Sequence, residues 1–543
     1  MLSIFSFISL TIIEIGLLFF GVFVSQSGKL THFINLLIVI YFSYYLWQDN
    51  SGLFYNNINN ALNPFDFIQE DSLFFRFFVF YSTIILIIFF IGICDRFFRS
   101  KIAIFEFPIL ILFLYFGGLF TLYINNFIDI FLAIEIVTLA SYVLITFERQ
   151  NRFSTYAGIQ YFILGSLPSA MLLIAFGLFY LQGGSVALQD LDRLFNTMLT
   201  SEYIIEINNL PFIIDINTVM IDNQVDNSTW YITKNNLNFF EIANINQAIE
   251  IVNPINSIRI IALFFLFFNF FFKLTAAPFH IWAPSVYGKA PIVSVTFLSI
   301  YSKTRIFFLR YKFMNGFLHS FSFILIITLI LIGLISIITG IIGAFSEKTL
   351  KRFFVYSSIG HVGFILIGFS IITIEGSIAS FHYLFVYIIS SFIIWFTLLS
   401  IGRDKQKLVQ LAQLKKANPF LALIFSFIVF SISGIPPFAG FFIKLDILSS
   451  VIDSSHFFVT YFIFFCTVVS FFYYLRLIKI IYFDEQNNAF TNIKISSVFK
   501  NEYPINLFRI WIIAFLIIFL GCYILFRHKP IFIIENQILS ILF

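Results

Sequence analysis

The sequence predicts an all-α polytopic membrane protein with about fourteen transmembrane helices. Of its 543 residues, 60% are hydrophobic and only 11% are charged, and the mean hydropathy is +0.95. Soluble domains carry about 25% charged residues, so this composition excludes an ordinary soluble enzyme. The net charge of +4 is small for this length and argues against a nucleic-acid partner.

Fourteen apolar windows are long enough for membrane crossing, because a helix needs about 20 residues to span the hydrocarbon layer. No cleavage pattern follows the first window, so we expect it to be retained as a helix. The windows lie at 4–24, 30–47, 74–95, 102–124, 127–147, 155–182, 258–282, 290–310, 318–345, 353–374, 377–400, 418–447, 455–478 and 507–526.

The distribution of lysine and arginine supports this count of helices. The loops after the odd-numbered windows hold most of these cations, whereas the opposite loops hold few. One miscounted helix would destroy this alternation. The positive-inside rule then predicts that both termini face away from the matrix or cytoplasm.

Two polar segments interrupt the windows, at 48–73 and 184–256. The second is acidic, and we interpret it as a solvated insertion in preference to a docking surface. The predicted organisation is an N-terminal region of three helices (1–100), a first repeat of helices 4–8 with the acidic insertion (101–312), a second repeat of helices 9–13 (313–482), and a loop with helix 14 (483–543).

The seventh and twelfth windows each contain a predicted helix break. Pro278 interrupts the first, in FKLTAAPFHIWAP, and Gly434, Pro436 and Pro437 interrupt the second, in SISGIPPFAGFFIKLDI. Proline removes a backbone donor and stops a helix. Two interrupted helices at corresponding places in two halves are typical of inverted repeats, which predicts two inverted five-helix units.

Four charged residues stand inside apolar windows: Glu135, Lys273, Lys303 and Lys444. A charge at a helix centre costs at least about 2.5–3.5 kcal/mol, so it is rarely kept without a partner or a task. Burial lowers the pKa of a lysine and a nearby carboxylate raises it, so moving a carboxylate loads or releases a proton. Structural ion pairing is the alternative, with Glu135 beside Lys273 or with Asp446 as a local partner for Lys444.

Histidines are the second group of candidate proton carriers. His280 and His361 titrate near neutral pH and suit a relay, although a buried histidine is as often a satisfied core residue. His382 is a weaker candidate. The three cysteines have no metal-ligand or disulfide spacing, and no glycine-rich phosphate loop occurs, so we expect this chain to bind no cofactor and no metal.

Three long runs, at 272–304, 348–370 and 433–448, closely resemble the antiporter-like subunits of respiratory complex I. The phrase YSSIGHVGF and the lysine at 444 are most similar to the subunit 2 type, because subunit 4 relatives carry glutamate there. This resemblance covers about residues 100–480 and implies the fourteen-helix fold. It also implies proton translocation through Glu135, Lys273, Lys303 and Lys444, with His280 and His361 on the same axis.

The resemblance implies further properties of the assembly. The chain would be a non-redox subunit of the proton-translocating NADH:ubiquinone oxidoreductase, with NADH, FMN, iron–sulfur clusters and ubiquinone bound by other subunits. Its partners would be the subunit 4 type, the small quinone-side membrane subunits and lipids. The abundance of phenylalanine suggests an AT-rich organellar gene, so we expect a multi-pass protein of the mitochondrial inner membrane with its termini in the intermembrane space.

The chain departs from the family pattern at two places. Gln160 stands where relatives often have a lysine, and the acidic residues usual after Trp-x-Pro are absent, since Ser285, Gly288 and Lys289 occupy that segment. Two other functions therefore stay open. The chain could be a cation/proton antiporter subunit of a related multisubunit transporter, or a structural spacer that has lost its proton path.

Overall fold

The computed structural model describes residues 106–188, 190–191, 258–316, 318, 321–371, 373–401 and 407–484, with 34–41, 82–89 and positions 16 and 521. The predicted windows 4–24 and 507–526 lie outside, or almost wholly outside, these residues. Both polar segments and the C-terminal region also lie almost wholly outside these residues. The predicted side of the termini therefore stays a prediction. Most of windows 30–47 and 74–95 also lies outside, although 34–41 and 82–89 are helical.

The described part of the chain is helical, with no β-structure beyond two isolated bridges. We number its helices in chain order. They are α1 (Glu106–Tyr123), α2 (Phe127–Ile145), α3 (Arg152–Gly183), α4 (258–274), α5 (Trp282–Tyr287), α6 (Ile292–Asn315), α7 (Ser322–Ser346), α8 (Leu350–Ser370), α9 (Ile374–Ile401), α10 (Leu414–Ala417), α11 (Pro419–Ser433), α12 (Ala439–Asp453) and α13 (Phe457–Tyr482), with a 3₁₀ turn at Leu408–Gln413.

These helices confirm the predicted all-α membrane fold. Within the described ranges, seven helices are long and apolar enough to cross a membrane: α2, α3, α6, α7, α8, α9 and α13. Each of the ten predicted windows from 102–124 to 455–478 is helical, and the seventh and twelfth are broken as expected. The predicted repeat boundaries at 101, 312 and 482 stay predictions.

The two units are α1–α6 and α7–α13. Each has five membrane helices when α4 and α5, and likewise α11 and α12, are counted as the halves of one broken helix and the four-residue α10 is left out. The units share local features that follow from their breaks. In each break one residue has a left-handed backbone, Thr275 with φ 62° and Gly434 with φ 88°. The next residue donates its N–H to a carbonyl five positions back: Ala276 to Phe271 at 2.9 Å and Ile435 to Phe430 at 3.2 Å. Because an odd number of crossings separates corresponding helices, the second unit enters the membrane from the opposite side.

A second shared feature ties each unit together at the start of its second spanning helix. Asn126 forms a bridge to Ala187, beyond α3, and Thr349 forms a bridge to Lys407, beyond α9. Both residues are the N-caps of their helices. The loop after the third spanning helix of each unit is therefore attached to the same point of the second.

Close packing of α7 on α8 depends on glycine. A side chain added at Gly340 would approach the backbone nitrogen of Gly360 to 2.6 Å, and one added at Gly363 would approach the carbonyl of Gly333 to 2.6 Å. Small residues let membrane helices approach closely, which gains dispersion contacts that lipid cannot supply. This pair makes the most extensive helix–helix contact in the described chain.

The substitution Gly340→Val tests this contact. We expect it to destabilise the helix pair by about 1–3 kcal/mol, because the obstructing atoms belong to backbone and cannot rotate away. The measurement is the thermal stability of the purified protein, assembled with its native partners. Gly177→Val is the matched control, since Gly177 is also helical but has no atom within 4 Å of the added carbon. Equal effects of the two substitutions would contradict the packing argument.

Candidate functional site

The helix α6 carries Lys303 on the face that contacts the second unit. The residue is only 1% exposed. Its Nζ donates hydrogen bonds to Ser358 Oγ on α8 at 2.9 Å and to Tyr387 OH on α9 at 3.3 Å. A neutral hydroxyl both accepts and donates hydrogen bonds, so these two groups are suitable first stations for a proton that leaves or reaches this lysine.

His361 lies one helical turn beyond Ser358 on α8, between two tyrosines. Its Nδ1 is 2.7 Å from Tyr383 OH and its Nε2 is 3.1 Å from Tyr474 OH. Tyr474 OH is also 2.5 Å from Ser357 Oγ. A neutral imidazole donates through one nitrogen and accepts through the other, so this arrangement joins α8, α9 and α13 through one ring.

Lys444 lies beside the break between α11 and α12. Its Nζ donates to the backbone oxygen of Ser433 at 2.8 Å. In a continuous helix this oxygen would accept from residue 437, but Pro437 has no N–H. Gly434 also leaves room for the lysine, because an added side chain there would lie 3.1 Å from Lys444 Cδ. The lysine's hydrogen bond therefore goes to a carbonyl that the break sets free, instead of to Asp446.

Two small cavities link these groups. One, of about 20 Å³, is lined by Ser357, Ser358, His361 and Tyr387, and the other, of about 10 Å³, is lined by His361, Tyr387, Ser431 and Lys444. About 10–15 Å³ of space is enough for one water molecule. Ser431 Oγ is buried without a hydrogen-bond partner among the described protein atoms. The space between Lys303 and Lys444 therefore fits a chain of hydroxyl groups, one imidazole and single waters.

The first unit has a different organisation. Glu135 Oε2 accepts from Thr138 Oγ1 at 3.1 Å, but Glu135 Oε1 has no partner in the described part of the chain. Lys273, in the last turn of α4, has a buried Nζ that likewise lacks one there. The two charges interact over a longer distance, and no ion pair within 4.0 Å joins them in the described structure. Their direct pairing stays a prediction.

His280 lies in the first break, two residues after Pro278. Its ring is 6.3 Å from the ring of Tyr356 on α8, measured between centroids, and its Nδ1 has no partner among the described residues. The structure thus places His280 between the two units but away from the bonded row of His361. Its role in proton transfer stays a prediction.

Two of the residues that depart from the expected family pattern, Gln160 and Ser285, contact each other. Gln160 on α3 donates through Nε2 to Ser285 Oγ on α5 at 3.0 Å. Gly288 lies against Arg352, whose side-chain atoms come within 2.9 Å of the carbon that any other residue would add there. Lys289 lies 4.0 Å from the centre of the Tyr156 ring. The hydrogen bond between Gln160 and Ser285 is therefore one between two neutral side chains.

Two further lysines serve as backbone anchors. Lys351 donates to the carbonyl of Ala290 at 2.9 Å, and Lys312 donates to the carbonyls of Leu122 and Ile124. These bonds satisfy backbone oxygens where the chain turns between helices. Burial alone therefore does not distinguish the candidate proton carriers from structural lysines.

Comparisons with known proteins identify the family of this chain. The family described as "NADH:quinone oxidoreductase/Mrp antiporter, TM" matches residues 125–214 and 228–470, more than half of the chain. The chain belongs to this family. The matched part includes Glu135, Lys273, Lys303, Lys444 and both candidate histidines.

Individual members of the family are similar over most of their length. "NADH-quinone oxidoreductase subunit N" of Paramagnetospirillum magneticum is 31% identical over 400 residues, which cover 72% of this chain and 71% of that protein. "NADH-ubiquinone oxidoreductase chain 2" of Arabidopsis thaliana is 31% identical over 398 residues, covering 73% and 69%. A chain of respiratory complex I from Thermus thermophilus with bound aureothin has the same fold, with a TM-score of 0.64, 21% identity and coverage of 96% and 98%.

Several polar groups at the site were not predicted. Tyr383, Tyr387 and Tyr474 could not be selected from the sequence, because they are three of 25 tyrosines and their partners are far along the chain. Arg305 is different. It is a second cation two positions after Lys303 in an apolar window, and that signal alone could have identified it.

The cavities predict ordered water. We expect one water within hydrogen-bond distance of Ser431 Oγ, because that buried hydroxyl has no protein partner among the described residues. A density map that shows ordered water would detect it, and Ser431→Val should displace it. Ser433→Val is the control, since Ser433 Oγ already bonds to the carbonyl of Phe430 at 2.8 Å. An unaltered water in the Ser431 variant would contradict the assignment.

The contact between Gln160 and Ser285 predicts coupled substitutions. Gln160→Lys alone should lower the yield of assembled protein, because an ion removed from water without a partner costs several kcal/mol. Ser285→Asp alone should do the same. The double substitution should recover most of the yield, since the new charges are adjacent. Quantitative assembly by native gel measures all three, and independent, additive losses would show that the two side chains do not interact.

Proposed function

We propose that this chain is a proton-translocating membrane subunit of an NADH:quinone oxidoreductase, of the kind named subunit N or chain 2 in its relatives. The observation that carries the proposal is a row of three hydrogen-bonded groups inside apolar spanning helices, centred on Lys303, His361 and Lys444, with two small cavities between them. Ionisable residues within a membrane are costly and mark ion or proton paths. The row lies where a proton can be held and passed on.

The redox chemistry would take place elsewhere in the assembly. NADH, FMN, iron–sulfur clusters and ubiquinone would be bound by other subunits, and this chain would respond to that chemistry without a redox centre of its own. Its neighbours would be a subunit of the subunit 4 type and the small quinone-side membrane subunits, with lipids around them. The similarity to subunits of such enzymes, over 71% and 69% of their length, supports this assignment.

The chain would lie in the mitochondrial inner membrane, as a multi-pass protein with both termini in the intermembrane space. Its similarity to a plant NADH-ubiquinone oxidoreductase chain supports the location. The alternation of basic loops supports the orientation.

The proposed mechanism begins in the first unit. A change of charge in a neighbouring subunit alters the field at Glu135, and the carboxylate in turn changes how strongly Lys273 holds its proton. Both groups have an unpartnered polar atom among the described residues, so they are free to change partners. The proton then passes to Lys303, which lies between the two units.

Transfer in the second unit would follow the observed contacts. The Lys303 ammonium gives a proton to the hydroxyl groups of Ser358 and Tyr387, which border the larger cavity. His361 borders both cavities and passes the proton from one side of its ring to the other. Lys444 receives it from the smaller cavity. Each step covers a hydrogen bond or a single water, as proton transfer requires.

A second candidate function is a cation/proton antiporter subunit of a related multisubunit transporter. It is favoured by the family itself, which includes the Mrp antiporter. The two functions differ in the partners that they require. Copurification of this chain with flavin and iron–sulfur subunits would support the oxidoreductase, whereas a complex without them would support the antiporter.

The proposed row is tested by Lys303→Met and Lys444→Met. Each substitution removes a proton carrier but keeps an unbranched side chain, so we expect a fall of about tenfold or more in coupled turnover. The measurement is proton pumping and NADH oxidation in membranes, each normalised to the amount of assembled complex. Lys273→Ala should lower both in the same way.

Lys351→Met is the matched control for these variants. Lys351 is as buried as Lys444, at 6% exposure each, and also donates to a backbone carbonyl, but it lies outside the row. Its loss should lower assembly while each assembled complex pumps normally. Normal pumping by Lys303→Met and Lys444→Met would instead support a structural spacer without a proton path.

A further inference from the structure

Arg305 lies on the face of α6 that packs against the other helices of the first unit. Three other residues on this helix bond to carbonyls of that unit: Ser294 to Leu144 at 2.6 Å, Tyr301 to Tyr115 at 2.8 Å, and Lys312 to the end of α1. Positions 294, 301, 305 and 312 are spaced by seven and four residues, which places them on one side of an α-helix. Lys303, two positions away, contacts the second unit on another side.

The guanidinium of Arg305 is buried without a direct partner. The residue is 1% exposed, and its Nε and Nη1 have no hydrogen-bond partner among the described residues. Its charge interacts with Glu135, and Lys273 interacts with both. Glu135 Oε1 and Lys273 Nζ are likewise buried and unpartnered in the described chain. Three charged groups from α2, α4 and α6, each with a buried polar atom that lacks a described partner, therefore interact electrostatically, and we call them the Glu135–Lys273–Arg305 cluster.

The net charge of this cluster depends on one proton. An arginine is always charged in proteins, so it cannot compete for that proton. With Glu135 ionised, the cluster is neutral when Lys273 is neutral and carries one positive charge when Lys273 is protonated. Without Arg305, loss of the proton from Lys273 would leave a single buried carboxylate with no opposite charge, which is strongly unfavourable.

We propose that Arg305 is the permanent counter-charge of Glu135, a positioning residue that lets Lys273 release its proton. The proposal rests on the proposed proton-translocating function and deepens it by naming a residue outside the four-residue row. Arg305 does not carry the proton itself. It keeps the carboxylate neutralised in the half of the cycle when Lys273 is uncharged.

The test uses the complete complex in membranes and four variants. Arg305→Gln removes the charge, and Arg305→Lys keeps a positive charge on a shorter side chain. The double variant Glu135→Gln with Arg305→Gln removes both charges, which restores the original charge of the cluster in each state of Lys273. Arg310→Gln is the matched control, because Arg310 is also buried on α6, at 3% exposure, and contacts Met314 Sδ and the ring of Phe369.

We expect Arg305→Gln to lower coupled turnover per assembled complex about tenfold, because Lys273 would then bind its proton about tenfold more tightly and release it less often. Arg305→Lys should give a turnover between those of the native protein and Arg305→Gln, because a buried lysine, unlike an arginine, can lose its charge. The double variant should restore the amount of assembled complex that Arg305→Gln loses, because no carboxylate is then left without an opposite charge. Its pumping should stay low, since Glu135 itself belongs to the proposed mechanism. Arg310→Gln should change assembly without changing turnover per complex.

Three results would overturn the proposal. One is native turnover in Arg305→Gln, another is an equal loss of turnover in the Gln and Lys variants, and the third is no recovery of assembly in the double variant. Lys444→Met, measured in the same series, separates this failure from failure of the proposed function. If Lys444→Met pumps normally, the function itself is wrong. If Lys444→Met fails while Arg305→Gln pumps normally, only the role of Arg305 is wrong.

Discussion

The structure depends on satisfying the backbone polar groups that its helix breaks leave unpaired, and the hydrogen bond from Lys444 to the carbonyl of Ser433 shows how this is done. Inside a membrane every backbone polar group has to find its partner within the protein. Pro437 removes the donor that Ser433 would have had, and a lysine from the next helix takes its place. In the first unit Pro278 removes the donor for Leu274 in the same way. At Lys444 the break therefore supplies the partner that a buried cation needs.

The two units treat their charges differently, and α6 separates them. Lys303, which faces the second unit from α6, and His361 and Lys444 within that unit all have direct hydrogen-bond partners. In the first unit, Glu135 Oε1 and Lys273 Nζ are buried and have no hydrogen-bond partner among the described residues. A satisfied network favours one arrangement, whereas unsatisfied groups gain from any change that supplies a partner. This difference fits a first unit that responds to its neighbour and a second unit that conducts.

The contact between Gln160 and Ser285 explains how the chain departs from its family without losing the fold. Replacing a buried ion pair by a neutral pair is often close to neutral in stability, because desolvation of the charges offsets their attraction. Replacing one partner alone is costly for the same reason. The Gln160–Ser285 hydrogen bond lies outside the proposed row of Lys303, His361 and Lys444.

The sequence by itself determined the membrane fold, the two broken helices and the four charged residues inside apolar segments. These follow from local chemistry: apolar length, the missing N–H of proline and the cost of a charge in hydrocarbon. Only the tertiary structure decided that Tyr387 contacts Lys303, and that Tyr383 and Tyr474 contact His361. It also decided that Lys303 and Arg305 lie on different sides of α6. The contacts of these tyrosines join residues 22 to 113 positions apart. Helix packing brings such residues together, and periodicity along one helix carries no information about its partner.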